Sequence, residues 1–437
     1  MNIHSLRGFR DLLPPESTLF ARIEAGAREI FELYGYREIR IPTIESKELF
    51  VKSTGDTTDI VEKEMYAFTD QGGREVAVRP EGTPGVVRAY IEQNLSQSGR
   101  NGKYYYIGNM FRAERPQAGR YREFTQIGAE YIGNPSPFAD AETIAMLVML
   151  LKKAGLDGLS AEINSLGCAE CRKNYREILL AHLKANIARL CEPCRQRIER
   201  NPLRALDCKI DGPALAETAP KLTLCAPCAE HFTRTQTLLK ASGIDFTVNL
   251  NMVRGLDYYT RTVFEVKSSA LGSQDAVAGG GRYDDLVKSM GGPQAPAIGW
   301  AMGVDRVAML LKDKVLAGQD PSVFIVAASE LARDAAFRLL GELRAAGIGA
   351  DFSNLELSLK SQMRSADRSG AAVALLLGED EVKNSVCAVK FLKEKRDQLT
   401  VPSADLITEL KKILNKYFTD TYHRDTGWSE ATQFNRI

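Results

Sequence analysis

Two short segments carry residue types suited to phosphate and nucleotide chemistry. The first is Phe111-Arg112-Ala113-Glu114-Arg115-Pro116-Gln117, followed closely by Arg120, Tyr121, Arg122 and Phe124. Guanidinium forks match phosphate oxygens and an aromatic face stacks on a base, so this combination fits a nucleotide. The second is Gly299-Trp300-Ala301-Met302-Gly303-Val304-Asp305-Arg306, where small residues let a ligand approach the backbone and Arg306 stands where a helix should begin. Either segment alone reads as well as a surface ion pair or a packing glycine. No Gly-rich P-loop is present to hold phosphate instead.

A third set of reactive side chains is the cysteines. Cys168-x-x-Cys171 and Cys191-x-x-Cys194 are spaced to share one tetrahedral zinc, and Cys208 with Cys225-x-x-Cys228-x-x-His231 could make a second. A reduced, metal-free subdomain is the competing reading. Cys387 stands alone and reads as a packed side chain.

The elements that must position these groups follow from periodicity. Apolar residues recur at helical spacing from Ser17 to Tyr34, Gly35 closes the segment, and Ile39 and Ile41 continue as a strand before Pro42. A short strand is expected at Val76 to Val78 and a helix from Pro84 to Leu95. Strands at Lys103 to Met110 and Phe124 to Ile132 flank the arginine-rich loop, which makes it the tip of a long hairpin. From Gly167 to Phe232 the cysteine-rich stretch reads as an inserted helical subdomain. Strands return at Phe246 to Met252, Thr262 to Val266 and Ala297 to Met302, with Ala278 to Tyr283 as a glycine turn and Val304 to Leu311 as a helix. After a polar linker at Lys312 to Pro321, strands and helices alternate from Val323 to Leu377, the pattern of a small separate α/β domain. The segment from Tyr417 to Ile437 is polar and aperiodic, and is expected to be loosely docked.

Bulk properties frame this. A chain of 437 residues predicts several domains, and no apolar run reaches the roughly 18 residues of a membrane span. The first residues lack the apolar core of a secretion signal, so the cytoplasm is expected, and disulfides are not. Lys plus Arg (57) balance Asp plus Glu (56), so net charge gives no sign of a nucleic-acid partner. Local basic clusters at Arg112 to Arg122 and at Lys360, Arg364, Arg368, Lys393, Lys395 and Arg396 could hold phosphate or be solvated surface.

Taken together, Pro42, the Phe-Arg-x-Glu hairpin and the Gly-x-x-x-Gly-x-x-Arg junction resemble the three signature motifs of class II aminoacyl-tRNA synthetases. Leu250 to Thr260, with Arg254-Gly255-Leu256-Asp257-Tyr258-Tyr259, and Ala278-Gly279-Gly280-Gly281-Arg282-Tyr283 look like two motifs peculiar to histidyl-tRNA synthetases. Arg7 to Pro14 and Arg79-Pro80-Glu81-Gly82-Thr83 are similar to the same family, so the resemblance runs to about Leu414.

That resemblance implies an α/β (α+β) fold, with an antiparallel catalytic sheet in two parts (1–166 and 236–318), an insertion (167–235), an anticodon-binding domain (322–415) and a polar tail (416–437). It implies a homodimer built through the first motif. By the same resemblance Glu130 and Tyr259 contact the imidazole of L-histidine and Glu81 its ammonium group. Gly82, Thr83, Gln126, Tyr258 and Tyr283 complete that pocket. Arg112 and Arg254 meet the α-phosphate of ATP and the substrate carboxylate as the catalytic cations. Glu114, Phe124 and Arg306 bind the rest of ATP, with Mg2+ on its β- and γ-phosphates. Arg115 and Gln117 read the acceptor end of tRNA(His), and the segment Ser358 to Met363 belongs to the anticodon reader. The four histidines, His4, His182, His231 and His423, lie outside these motifs, which suits a reaction needing no protein base. The better-known bacterial members lack such cysteine pairs, so the resemblance does not decide the zinc question. The competing function is a synthetase-like, histidine-binding regulatory subunit of ATP phosphoribosyltransferase. Such paralogues lack the anticodon domain and lose the arginines. A synthetase for proline or threonine would lack the Arg254 to Tyr259 segment.

Overall fold

The helix Glu16–Leu33 forms because Leu19, Phe20, Ile23, Ala27, Ile30 and Phe31 fall on one stripe, all of them buried. It ends at Gly35, whose φ of 72° only glycine adopts without strain. The stripe packs on a sheet: the Phe31 ring lies 4.2 Å from Tyr105 and 5.8 Å from Trp300, near-parallel to both. The computed structural model describes residues 3–55, 58–97, 102–208, 210–268, 276–312 and 322–425, with side chains as far as residue 416. The chain divides into two units, Met1–Asp313 and Lys314–Ile437.

The strands of the first unit are β1 (Arg37–Glu38), β2 (Ile44–Ser46), β3 (Ala67–Thr69), β4 (Glu75–Val78), β5 (Gly102–Phe111), β6 (Glu123–Ile132), β7 (Leu159–Ser165), β8 (Phe246–Val248), β9 (Thr260–Ser268), β10 (Ala276–Arg282) and β11 (Ala297–Gly303). Eight of them form one sheet in the order β1-β5-β6-β11-β10-β9-β7-β8, while β2, β4 and β3 make a small separate one. The large sheet is antiparallel from β5 across to β7, and only its outermost pairs, β1 with β5 and β7 with β8, run parallel. The hairpin β5–β6 pairs from Gly102 opposite Ile132 to Phe111 opposite Glu123, so the loop from Arg112 to Arg122 is its tip, as the sequence predicts. That tip is pinned by the Arg112 N–H donating to the Arg122 carbonyl (2.9 Å) and by a tight turn closing Gln117 on Arg120.

Three expectations need correction. Ala278 to Tyr283 is not a turn: its glycines lie in the central strand β10, paired on both sides. They are there for close packing, since a Cβ on Gly281 would come within 2.8 Å of the Thr262 carbonyl oxygen. The strand expected from Phe246 to Met252 ends at Val248, because the side chain of Asn249 accepts from the Asn251 N–H (3.1 Å) and turns the chain. The strand after Gly35 spans only Arg37–Glu38.

Helices Ala169–Ala185, Glu192–Arg197, Gly212–Thr218 and Ala226–Ala241 build the cysteine-rich region, with Tyr175, Leu179, Leu183, Leu190, Ile198 and Leu215 as its own core.

The second unit holds β12 (Val323–Ala327), β13 (Ala350–Phe352), β14 (Val373–Leu377), β15 (Val386–Phe391) and β16 (Leu399–Pro402), in the order β13-β12-β14-β15-β16. β12 runs parallel to β13 and β14, and the last two strands are antiparallel. Helices Glu330–Ala345 and Leu359–Arg368 make the crossover connections that parallel strands need. Gln362 is fully buried and exchanges hydrogen bonds with the backbone of Ala327 while donating to Leu355 and Leu357, which pins its helix to the sheet. On the outer side of this helix Lys360, Arg364 and Arg368, four residues apart, form a basic exposed face. Cys387 is buried in the core, as expected. The final helix, Leu406–Asp425, reaches well into the segment expected to be loosely docked. Leu406, Leu410 and Leu414 anchor its first turns in the core, and a nucleated helix propagates at little further cost. Residues 426–437 and the linker at 313–321 lie outside the described residues. No helix among those described is long and apolar enough to cross a membrane.

Candidate active site

One face of the large sheet is a floor of small residues. Pairing aligns Tyr106, Gly128, Ala301, Gly279 and Glu265 in one row, and Glu130, Gly299 and Gly281 in the next row on the same face. A Cβ on Gly299 would strike the Glu130 carboxylate, and one on Gly128 would strike the Tyr106 ring. The missing side chains therefore leave room above the sheet, and Glu130, Gln126, Tyr106 and Glu265 stand around that room. The opposite face carries Ile127, Ala129, Phe264, Ile298 and Trp300, all buried. The result is a cavity of about 460 Å³.

Two carboxylates are buried at its wall. Glu130 is fully buried and accepts from Thr83 Oγ1 (2.6 Å) at one oxygen and from the Tyr283 hydroxyl at the other. Burial pushes its pKa up to about 8, against the two hydrogen bonds and aided by the charge of Glu81. Glu81 accepts from the Tyr258 hydroxyl (3.2 Å), and its second oxygen is buried with no protein partner. Burial raises it to about 7, although the Arg112 charge pulls the other way. An unpartnered buried acceptor beside a second buried carboxylate is chemically suited to a cationic ligand. Gln126 is oriented by the Gly82 N–H (3.1 Å) and the Tyr106 hydroxyl (3.0 Å), both donating to its Oε1. Tyr258, Tyr259 and Tyr283 form an aromatic wall, with ring centroids 4.7 and 5.7 Å apart for the two pairs.

The cations come from separate elements. Arg112, at the base of the hairpin tip, donates to the Pro80 carbonyl (2.9 Å) and lies 5.4 Å from the centre of the Phe124 ring. Arg254 lies against the glycines of β10, where a Cβ on Gly279 would come within 2.7 Å of it. It pairs with Glu265, stands 6.0 Å from the centre of the Tyr259 ring, and leaves its Nε without a partner. Burial disfavours its charge, but Tyr259, Glu265 and Asp207 outweigh that and hold it above its ordinary value. Arg306 opens the helix Val304–Leu311 after β11, as predicted, and burial together with the charge of Arg120 lowers it. Asp305 beside it accepts from Arg10 (2.9 Å) and from the Thr125 N–H (3.0 Å), fastening that junction to β6.

The cavity thus gathers Glu81, Thr83, Arg112, Glu114, Phe124, Gln126, Glu130, Arg254, Tyr258, Tyr259, Tyr283 and Arg306 from the sequence-derived set. Gly82 acts through its backbone. Arg115 and Gln117 do not line it. They border an adjoining recess of about 660 Å³ with Lys63, Glu64, Glu114 and Arg120, and both are exposed. Sequence reasoning missed Glu265, Asp207 and Arg204, which also line the cavity. A charged residue inside the apolar run Val263-Phe264-Glu265-Val266 was the available signal for the first. Arg204 and Asp207 come from the insertion, and Arg204 pairs with Asp257 (3.1 Å), so no local pattern announced them.

The cysteines assort differently from the expected pairing. Cys168, Cys171, Cys225 and Cys228 converge in one group, and Cys191, Cys194 and Cys208 converge with Asp211 in another. Cys168 and Cys171 therefore do not share a site with Cys191 and Cys194. His231 joins neither group, because it meets Asp140 (2.7 Å), a fully buried carboxylate that also holds the buried Arg282.

An antiparallel sheet with arginines converging from a hairpin tip, a loop and a strand–helix junction, followed by a small α/β unit, defines a class II aminoacyl-tRNA synthetase. Residues 8–307 match the family described as histidyl-tRNA synthetase, and residues 322–413 match the anticodon binding domain. Among curated relatives, a histidine–tRNA ligase of Elusimicrobium minutum is 52% identical over 93% of this chain and 98% of its own length. One of Geobacter sulfurreducens is 49% identical over 89% and 95%. The solved apo histidyl-tRNA synthetase of S. aureus superposes with a TM-score of 0.80 at 34% identity, over 94% of this chain and 100% of that one. The chain belongs to the histidyl-tRNA synthetase family of aminoacyl-tRNA ligases.

Proposed function

We propose that the protein is a histidine–tRNA ligase. It activates L-histidine with ATP to histidyl-adenylate, releasing pyrophosphate, and transfers the histidyl group to the 3′ end of tRNA(His). The observation that carries this reading is the meeting of two buried carboxylates with Arg112 and Arg254 in one cavity.

Histidine offers an ammonium group, an imidazole with polar atoms on both edges, and a carboxylate. Glu81, with its unpartnered oxygen, takes the ammonium. Glu130 and Tyr259 take the imidazole, with Thr83, Gln126, Tyr258 and Tyr283 holding them in position. The carboxylate attacks the α-phosphorus of ATP in line, and the bond from that phosphorus to the bridging oxygen of the β-phosphate breaks, so that pyrophosphate leaves. The charge that builds on the phosphate oxygens is met by Arg112 and Arg254, so no protein base is needed. Phe124 stacks on adenine, and Arg306 holds the γ-phosphate. Glu114 offers the kind of oxygen that a hard cation takes, and Mg2+ would neutralise the β- and γ-phosphates there. In the second step a ribose hydroxyl of the terminal adenosine attacks the adenylate carbonyl. AMP leaves, and its phosphate is the nearest group able to take the proton.

Arg115 and Gln117 border the basic recess and suit the acceptor end of the tRNA, while the Lys360, Arg364 and Arg368 face suits the anticodon stem. The working division is a catalytic domain in two parts (1–166 and 236–318), an insertion (167–235), an anticodon-binding domain (322–415) and a tail. A homodimer acting in the cytoplasm, where tRNA is charged, completes the reading. The regulatory alternative is disfavoured, because relatives named histidine–tRNA ligase match at about half identity over most of the chain, and an anticodon-binding region is matched too.

The test is ATP–pyrophosphate exchange with each of several amino acids, for the wild type and for Arg254→Ala. Exchange that requires histidine and falls by about 100-fold or more in the variant supports the proposal. Histidine binding without exchange would overturn it.

A further inference from the structure

The two cysteine groups lie outside every element of the proposed reaction, and their geometry has a chemistry of its own. In the first group, Cys168 Sγ lies 3.7 Å from Cys171 Sγ and 3.9 Å from Cys225 Sγ, and all four sulfurs are within 4.8 Å of one another. A disulfide would bring sulfurs to about 2.05 Å. Four bonds of about 2.3 Å to a tetrahedral ion put sulfurs roughly 3.8 Å apart, close to the Cys168–Cys171 and Cys168–Cys225 separations. In the second group Cys191 Sγ and Cys208 Sγ are 3.7 Å apart, and Cys194 and an oxygen of Asp211 complete the four.

The local chain is shaped for these positions. Cys168, Cys191 and Cys225 each occupy the residue just before a helix, and Cys171, Cys194 and Cys228 fall in the first turns that follow. Helix N-termini favour thiolates, and each Cys-x-x-Cys then presents two sulfurs to one side. Cys171 Sγ accepts from the Cys225 N–H (3.2 Å), an outer hydrogen bond of the kind that orients a metal ligand. Gly167 is required beside it: with a φ of 63°, a Cβ there would lie 3.1 Å from Cys171 Sγ. Asp211 is held in the same way by the Cys191 N–H, 3.1 Å from each oxygen.

We propose that the insertion is a two-zinc module, with a Cys168–Cys171–Cys225–Cys228 site and a Cys191–Cys194–Cys208–Asp211 site. Thiolate-rich tetrahedral sets with no open position select zinc and serve structure. Each thiol gives its proton to solvent as it binds the ion. The first site joins the two ends of the insertion, where Arg172, one residue beyond Cys171, donates to the Tyr259 carbonyl (3.0 Å). The second fixes the interior stretch that carries Arg204 and Asp207 to the cavity wall. Zinc thus fastens the insertion to the site without taking part in the reaction.

The experiment is metal analysis of the full-length protein by mass spectrometry, for the wild type, Cys228→Ser and Cys194→Ser, followed by replacement with Co2+. Two zinc ions per wild-type chain, one in each variant, and the visible bands of tetrahedral thiolate-bound cobalt would support the proposal. The wild-type content and cobalt spectrum do not depend on the variants folding. A wild-type chain refilled with Zn2+ that holds no stoichiometric metal, or that binds Co2+ without thiolate-to-metal bands, overturns it. So does stoichiometric iron in place of zinc.

Discussion

Replacing Glu130 by glutamine tests the electrostatics of the site directly. Glu130 is fully buried, and its pKa rises from an ordinary 4.5 to about 8, chiefly through burial. The folded state therefore binds this proton more tightly than the unfolded state does. The stability linked to it is complete below pH 4.5 and is lost as pH rises through about 8. At about 1.4 kcal/mol per pH unit the whole loss is on the order of 5 kcal/mol, of which roughly 3 kcal/mol falls between pH 5.5 and 8.5. Glutamine cannot ionise. Its amide N–H2 faces a hydroxyl of Thr83 or Tyr283 in place of an acceptor, at a cost of about 1–3 kcal/mol that does not vary with pH.

The difference in Tm between Glu130→Gln and the wild type should therefore move in the variant's favour as pH rises. Unfolding entropy scales with length, and for the 313 residues of the first unit 1 kcal/mol corresponds to about 1.5 °C. The expected drift is about 5 °C between pH 5.5 and 8.5, read by differential scanning calorimetry at constant ionic strength. A difference that stays constant across that range would falsify the claim that Glu130 is held protonated by burial.

Three further outcomes follow from the same geometry. Glu81 is pushed up to about 7, so at pH 7 it is about half protonated, and an arriving ammonium group should expel about half a proton per histidine bound. Titration calorimetry in buffers of different ionisation enthalpy reads this, and a buffer-independent heat, or the same release from Glu81→Gln, would rule out that role. Gly279→Ala puts a Cβ within 2.7 Å of the Arg254 guanidinium, and should lower histidine-dependent exchange by about 10- to 100-fold with little change in Tm. Unchanged exchange would show that the position of Arg254 is not critical. Asp140→Asn leaves the buried Arg282 with Asp284 as its one remaining carboxylate partner, so the catalytic unit should lose about 2–4 kcal/mol in urea denaturation, and a loss under 1 kcal/mol would contradict the weight given to the Asp140 pair.

Much of the architecture was legible because it is local. The stripe from Leu19 to Phe31, the arginine-tipped hairpin and the helix after Gly303 are each specified by residues a few positions apart. The last helix was not read from the sequence at all: the segment from Tyr417 was expected to be loosely docked, and the helix Leu406–Asp425 runs into it. The glycine segment misled for a definite reason. Gly279, Gly280 and Gly281 permit a turn as readily as a tightly packed strand, and only the neighbouring strands decide between the two.

The same distinction explains which parts of the site could be read. Residue types and spacing singled out the arginine segments, and the family resemblance supplied the two carboxylates and the tyrosines, but neither told which of them would touch. Glu265 faces Arg254 because β9 pairs with β10 so that Gly279 sits opposite Glu265, leaving a gap in which the guanidinium lies. Glu130 finds room because β11 sets Gly299 beside it. Spacing revealed that cysteines come in pairs; the choice of partner depends on where helices begun at Cys168 and Cys225 meet in space. A change at Gly279 or Gly299 would alter the chemistry of an arginine or a glutamate without touching either, so the glycines of this sheet belong to the site as much as the charges they accommodate.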